Sequence, residues 1–182
     1  MTPADILHSL ATQDAVRTPD LPQRQRGIYG LINHEGELRY IGSTSRAAEN
    51  FHKRIHQRHR TGSETHSHYF SKVYCCGRMW RDPFDRSNVA DAKVAKAVRN
   101  EFIAAYCGAV YVPIPGNEAT IQLLEAEVIR IAPTRFKAWN GRTDLVYQEP
   151  VNLLDKLLDA RGYGEAIREA LARQAARERA KR

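Results

Sequence analysis

The chain has 182 residues, with 28 Lys and Arg against 21 Asp and Glu, a formal net charge of +7 at neutral pH and 42% hydrophobic residues. That length suits one domain with a short appendage, and no apolar run approaches the roughly 18 residues of a membrane span. Three cysteines, two of them adjacent (Cys75, Cys76), make a poor disulfide framework, and the first ten residues carry Asp5 with neither a basic start nor a long apolar stretch. No signal peptide and no membrane association are therefore expected, and the setting should be reducing and cytoplasmic. A basic surface attracts polyanions, which makes nucleic acid the leading partner class without separating a specific binder from any other basic protein.

In chain order, residues 4–10 read as a weak helix, followed by a polar, Pro-containing stretch to residue 25. Gly27-Ile28-Tyr29-Gly30-Leu31-Ile32 is β-rich, Asn33-His34-Glu35-Gly36 has turn chemistry, and Leu38-Arg39-Tyr40-Ile41-Gly42 returns with alternation, so a hairpin is expected. Ser43, Thr44 and Ser45 are N-cap candidates for a helix reaching about residue 60, with Phe51 and Ile55 on one face and Arg54 and Arg58 bordering it. Residues 69–86 have no clear period. A second helix is expected after Ser87 or Asn88, with Val89, Val94, Val98, Phe102 and Ile103 as core candidates and Gly108 as its stop. Residues 109–113 read as a third strand, at an edge or a terminus because of Pro113 and Pro115. A helix over 117–132 stops at Pro133. Two amphipathic pieces close the chain, 151–160 and the basic 165–182.

Within this order, Gly27-Ile28-Tyr29 and Tyr40-Ile41-Gly42 lie on partner strands of one hairpin. An arginine on the next helix, Glu125 in Leu123-Leu124-Glu125-Ala126, and Asn140 follow in turn. This sequence resembles the GIY-YIG nuclease superfamily over about residues 26–140. The resemblance implies a small α/β (α+β) domain, a three-stranded, mainly antiparallel sheet flanked by helices. It implies an N-terminal extension (1–25), the nuclease domain (26–145) and a basic helical C-terminal extension (146–182). It also implies metal-dependent hydrolysis of DNA phosphodiesters, with RNA as another polyanion to test and a homodimer as an option.

The expected site is Tyr29 taking a proton from the attacking water, Tyr40 positioning that water or the phosphate, Arg54 stabilising phosphoryl charge and Glu125 holding Mg²⁺ or Mn²⁺. Helix geometry supports the carboxylate: Ile121, Leu124, Val128 and Ala132 define an inward face that includes Glu125, while Glu127 points away. A carboxylate facing inward is costly unless paired or bound to a cation, and a hard divalent ion suits one carboxylate plus phosphate oxygens. Lys53, Arg58, Arg60 and Asn140 are expected DNA contacts, Asn140 fixing local structure or touching substrate. Family members place a His or Tyr four residues after the helix arginine. Here that position is Arg58, so the role passes to His59, which is favoured, to Arg58 itself or to His56. The arginine also stands further from the second motif than is usual, implying an insertion at 47–50. His52 and His56, with His66, His68, Cys75 and Cys76 nearby, raise a less favoured structural Zn²⁺ site. A scaffold that binds nucleic acid without cutting it is the alternative function.

Overall fold

In the computed structural model, which describes residues 1–64, 68–142, 145 and 147–181, the chain forms two compact units. The first comprises residues 1–58 and 104–143 and the second residues 59–103 and 144–182. The fold class is α+β, with an antiparallel sheet flanked by helices. His66, among the candidates for zinc, lies outside the described residues. Among the described residues no helix is long and apolar enough to cross a membrane.

The first unit holds the sheet, in the order β1 (Val16–Arg17), β4 (Gly108–Pro113), β2 (Gly27–Ile32), β3 (Leu38–Ser43), all antiparallel. The sheet has four strands where three were expected. Strand β1 is two residues long, too short to show alternation, and exists by pairing Val16 with Ala109 and Arg17 with Gly108. It covers β4, so β4 is not an edge strand, and Pro113 stands at the strand terminus opposite Gly27.

Alternation divides β2 between two faces. Ile28 and Ile32, with Ile41, Val110 and Val112, pack against Ile6 and Leu10 of α1 (Pro3–Thr12) and Ile121 and Val128 of α4 (Glu118–Ile131). Tyr29 lies on the other face, where its ring meets Tyr40 and the edge of Phe51, and Phe51 in turn meets Tyr111. Helix α1 starts on a capping box made by Thr2 and Asp5, and α4 on the Asn117 side chain, which accepts the Thr120 N–H.

Ser43, Thr44 and Ser45 do not cap the next helix. Their hydroxyls are engaged elsewhere: Ser43 ends β3, and Thr44 Oγ1 accepts the Gly27 N–H at 3.0 Å. Residues 46–50 form a loop and the helix begins only at Phe51, with Asn50 Oδ1 accepting the Lys53 N–H at 2.8 Å. From His52 to His59 it is a π-helix, a geometry bonded i→i+5 that is rare at this length.

The second unit is helical, built from α2 (Tyr69–Val73), most of α3 (Val89–Tyr106), α5 (Val151–Ala160) and α6 (Glu165–Lys181). Of the core residues expected in α3, Val98, Phe102 and Ile103 are buried, but Val89 is 48% exposed at the first turn. Ala95 and Arg99 fill the buried positions instead. Arg99 is fully buried and pairs with Glu64, which also accepts from Arg81 at 3.0 and 3.1 Å. Burial works to raise the Glu64 pKa, but Arg99's charge and the Arg81 hydrogen bonds outweigh it and bring it from 4.5 down to about 2. The stability this carboxylate contributes is present above the unfolded value and is lost as pH falls from about 4.5 toward 2. Acid titration of the fold by circular dichroism should show the parent losing stability more steeply across that window than Glu64→Gln.

Four cations of α6 meet carboxylates within their own unit. Arg173 grips both oxygens of Asp91 at 2.7 and 3.0 Å, Lys181 pairs with Asp82, Arg177 lies 3.9 Å from Asp85, and Arg168 pairs with Asp159 at 2.6 Å.

Candidate active site

The two motif strands build the site through their register. Tyr29 stands opposite Gly42, and Tyr40 opposite Leu31, so the tyrosines are diagonal neighbours on one face rather than direct partners. Their ring centroids are 6.0 Å apart. Gly42 is what allows this: a Cβ there would come within 2.5 Å of Tyr40 Cε1, 2.8 Å of Tyr40 Oη and 2.9 Å of Tyr29 Oη. Both hydroxyls therefore converge in the space that a side chain would occupy. Gly27 answers a different demand. At φ +152° its missing Cβ would lie 2.1 Å from the Val112 carbonyl oxygen, so the close pairing of β2 and β4 excludes any other residue. Ile28 and Ile41 are fully buried on the opposite face.

Arg54, half-buried on the π-helix, points its Nε at Tyr29 Oη at 3.4 Å, a long hydrogen bond. Burial disfavours its charge, yet Tyr29, Tyr40 and Glu49 hold the guanidinium pKa above its ordinary value. For Tyr29, burial is the main influence and pushes the phenol up to about 12; Glu125 adds to the rise, while Arg54 and the hydrogen bond with Tyr40 act against it. The resting Tyr29 is thus a neutral phenol at physiological pH.

Glu125 is half-buried on α4, and Glu127 is exposed and bonded to Arg130 at 2.7 Å. The wheel geometry and the structure agree on which carboxylate faces inward. Glu125 Oε2 accepts the Ser43 hydroxyl at 2.5 Å, and among the described residues the carboxylate forms no ion pair. Burial raises its pKa, with Ser43 and the more distant Arg54 opposing the rise. A half-buried, unpaired carboxylate whose charge is disfavoured fits a hard cation that brings its own waters and phosphate oxygens. Among the described residues no group of three His, Cys, Asp or Glu converges as a metal cage.

Asn140 holds the edge of the site. Its Oδ1 accepts the Ile41 N–H at 3.1 Å and its Nδ2 donates to the Ile41 carbonyl at 2.7 Å. The Trp139 N–H donates to Arg39 O at 2.9 Å, and the Trp139 ring is buried. Together they close the exposed ladder of edge strand β3 beside Tyr40. Asn140→Asp, which keeps the acceptor and sets an oxygen against the Ile41 carbonyl, should lower unfolding free energy by about 1–3 kcal/mol. Chemical denaturation and faster exchange of the Ile41 amide would show it.

The remaining candidates fall elsewhere. Lys53 is exposed, with its Nζ 3.1 Å from the Ala48 carbonyl, and Arg58 pairs with Glu49 of the loop before the helix. His52 and His56 stack with centroids 4.7 Å apart, and His56 Nδ1 lies 3.2 Å from Thr18 Oγ1. His59 opens the second unit, where it is buried, with Nδ1 accepting the Tyr69 N–H at 3.0 Å. Arg60, in that unit too, donates to the Asn100 carbonyl at 3.3 Å.

Two participants escaped sequence reasoning, Ser43 and the space over Gly42. Ser43 is two residues beyond Ile41, hence on the face that α4 covers, and that alternation was the available signal. No protein-family model, curated protein or solved structure matches this chain.

Proposed function

We propose that the chain is a GIY-YIG-type endonuclease that hydrolyses DNA phosphodiester bonds with a divalent cation. The observation that carries this reading is the convergence of the Tyr29 and Tyr40 hydroxyls over Gly42, beside Arg54 and within the electrostatic reach of Glu125. Hydrolysis of a phosphodiester needs an oriented water, charge stabilisation at the phosphoryl oxygens and a proton acceptor. Arg54 supplies a permanently charged fork for a phosphoryl oxygen. Tyr29 releases its own proton to solvent, an ionisation that Arg54 and the hydrogen bond with Tyr40 favour against burial, and as the phenolate then takes the proton of the attacking water. Tyr40 orients that water. Glu125 would hold Mg²⁺ or Mn²⁺, which would supply neutralising charge to the phosphoryl group.

The complete burial of Tyr29 supports a second reading, a module that keeps this scaffold and binds nucleic acid without cutting it. Nicking of supercoiled plasmid separates the two. The nuclease reading expects metal-dependent nicking that Tyr29→Phe reduces by about 10²-fold or more. Salt-sensitive binding with no nicking in Mg²⁺ or Mn²⁺ establishes the module instead.

A further inference from the structure

Ser43 is the last residue of β3, immediately after the second motif. Its hydroxyl donates to Glu125 Oε2 at 2.5 Å across 82 positions of sequence. The backbone just after it is held twice. Thr44 N–H donates to the Gly27 carbonyl at 2.8 Å, while Arg26 Nη1 donates to the Ser45 carbonyl at 2.8 Å. Gln122 Nε2, one turn before Glu125 on α4, reaches Ser45 Oγ at 3.4 Å. The serine is therefore a fixed donor, whereas a glutamate has several rotamers and needs a partner to select one. Oε2 is tied to the Ser43 hydroxyl and the Ser43 backbone N–H also bonds to the carboxylate, which has no ion-pair partner among the described residues.

We infer that Ser43 is a positioning residue: its hydroxyl, fixed against Glu125 Oε2, selects the rotamer in which the carboxylate meets a divalent cation. The inference rests on the reading of Glu125 as that cation's ligand. Ligating carboxylates are themselves hydrogen-bonded, and loss of such a partner costs about 10–100-fold in metal affinity or activity.

The test is Mn²⁺ binding to the full chain without nucleic acid, followed by electron paramagnetic resonance of the free ion, with thermal unfolding recorded on the same samples. Ser43→Ala should weaken Mn²⁺ binding about tenfold, and Ser43→Thr, which keeps the hydroxyl, should recover most of it. In cleavage assays Ser43→Ala should raise the metal concentration for half-maximal rate more than it lowers the rate at saturating metal. If Ser43→Ala does not fold, Ser43→Thr against Ser43→Val gives the same contrast, since the two side chains match in shape and differ in the hydroxyl. Equal Mn²⁺ affinity with and without the hydroxyl overturns the inference, as does a parent chain that binds no Mn²⁺ at millimolar concentrations. A parent that binds Mn²⁺ in a Ser43-dependent way yet cuts nothing supports the inference and rejects the nuclease reading.

Discussion

Glu125→Gln should abolish metal-dependent cleavage, by about 10³-fold or more, while leaving the fold at least as stable as the parent at neutral pH. The two halves of this result have one cause. Burial raises the Glu125 pKa, which means that the folded chain tolerates the ionised carboxylate poorly. The neutral amide removes that cost and still accepts the Ser43 hydroxyl, so the unfolding midpoint should hold or rise. What the amide cannot do is offer a negatively charged oxygen to a hard cation. Nucleic-acid binding should change little, because the charge lost is negative. Measured on one preparation, cleavage, DNA affinity and thermal unfolding would therefore separate. A variant that unfolds more easily than the parent would show Glu125 to be a structural carboxylate.

Gly42→Ala should have the second largest effect, and a different profile. The added methyl would meet both tyrosine hydroxyls and the Tyr40 ring at 2.5–2.9 Å, closer than real contacts allow. Forcing them apart should cost about 1–3 kcal/mol of stability, as overpacking does. Cleavage should fall further than stability does, by about 10²-fold under conditions where the variant remains folded, because displacement of reacting groups by about 1 Å carries that price. Glu125→Gln thus separates activity from stability, and Gly42→Ala lowers both. The comparison distinguishes a group that does chemistry from one that makes room for it.

Much of this arrangement was legible before any coordinates. The hairpin was readable because Leu38 to Gly42 alternates after a turn of Asn and Gly, and Glu125 because helical spacing separates it from Glu127. Other features depend on long-range partners that leave no local trace. The strand at Val16–Arg17 is specified by β4 rather than by its own two residues. Ser43 to Ser45 have the chemistry of helix caps, but tertiary partners claimed those hydroxyls first: Glu125, Gly27 and Gln122. The spacing of Phe51 and Ile55 suits an α-helix, and the π-geometry that replaces it from His52 onward leaves no mark in that spacing. The basic character of α6 is plain in sequence, and only the fold shows Asp82, Asp85 and Asp91 meeting it.

If Tyr29, Tyr40, Arg54 and Glu125 form a hydrolytic site, an oxygen from solvent must end in the product phosphate. End-labelled duplex DNA is incubated with the full chain and Mg²⁺ or Mn²⁺ in H₂¹⁸O, and the cut ends are weighed by mass spectrometry. Metal-dependent fragments should carry one ¹⁸O in each new terminal phosphate and should be lost with Glu125→Gln. Intact DNA under every metal condition, or fragments formed equally by Glu125→Gln, would contradict a hydrolytic site.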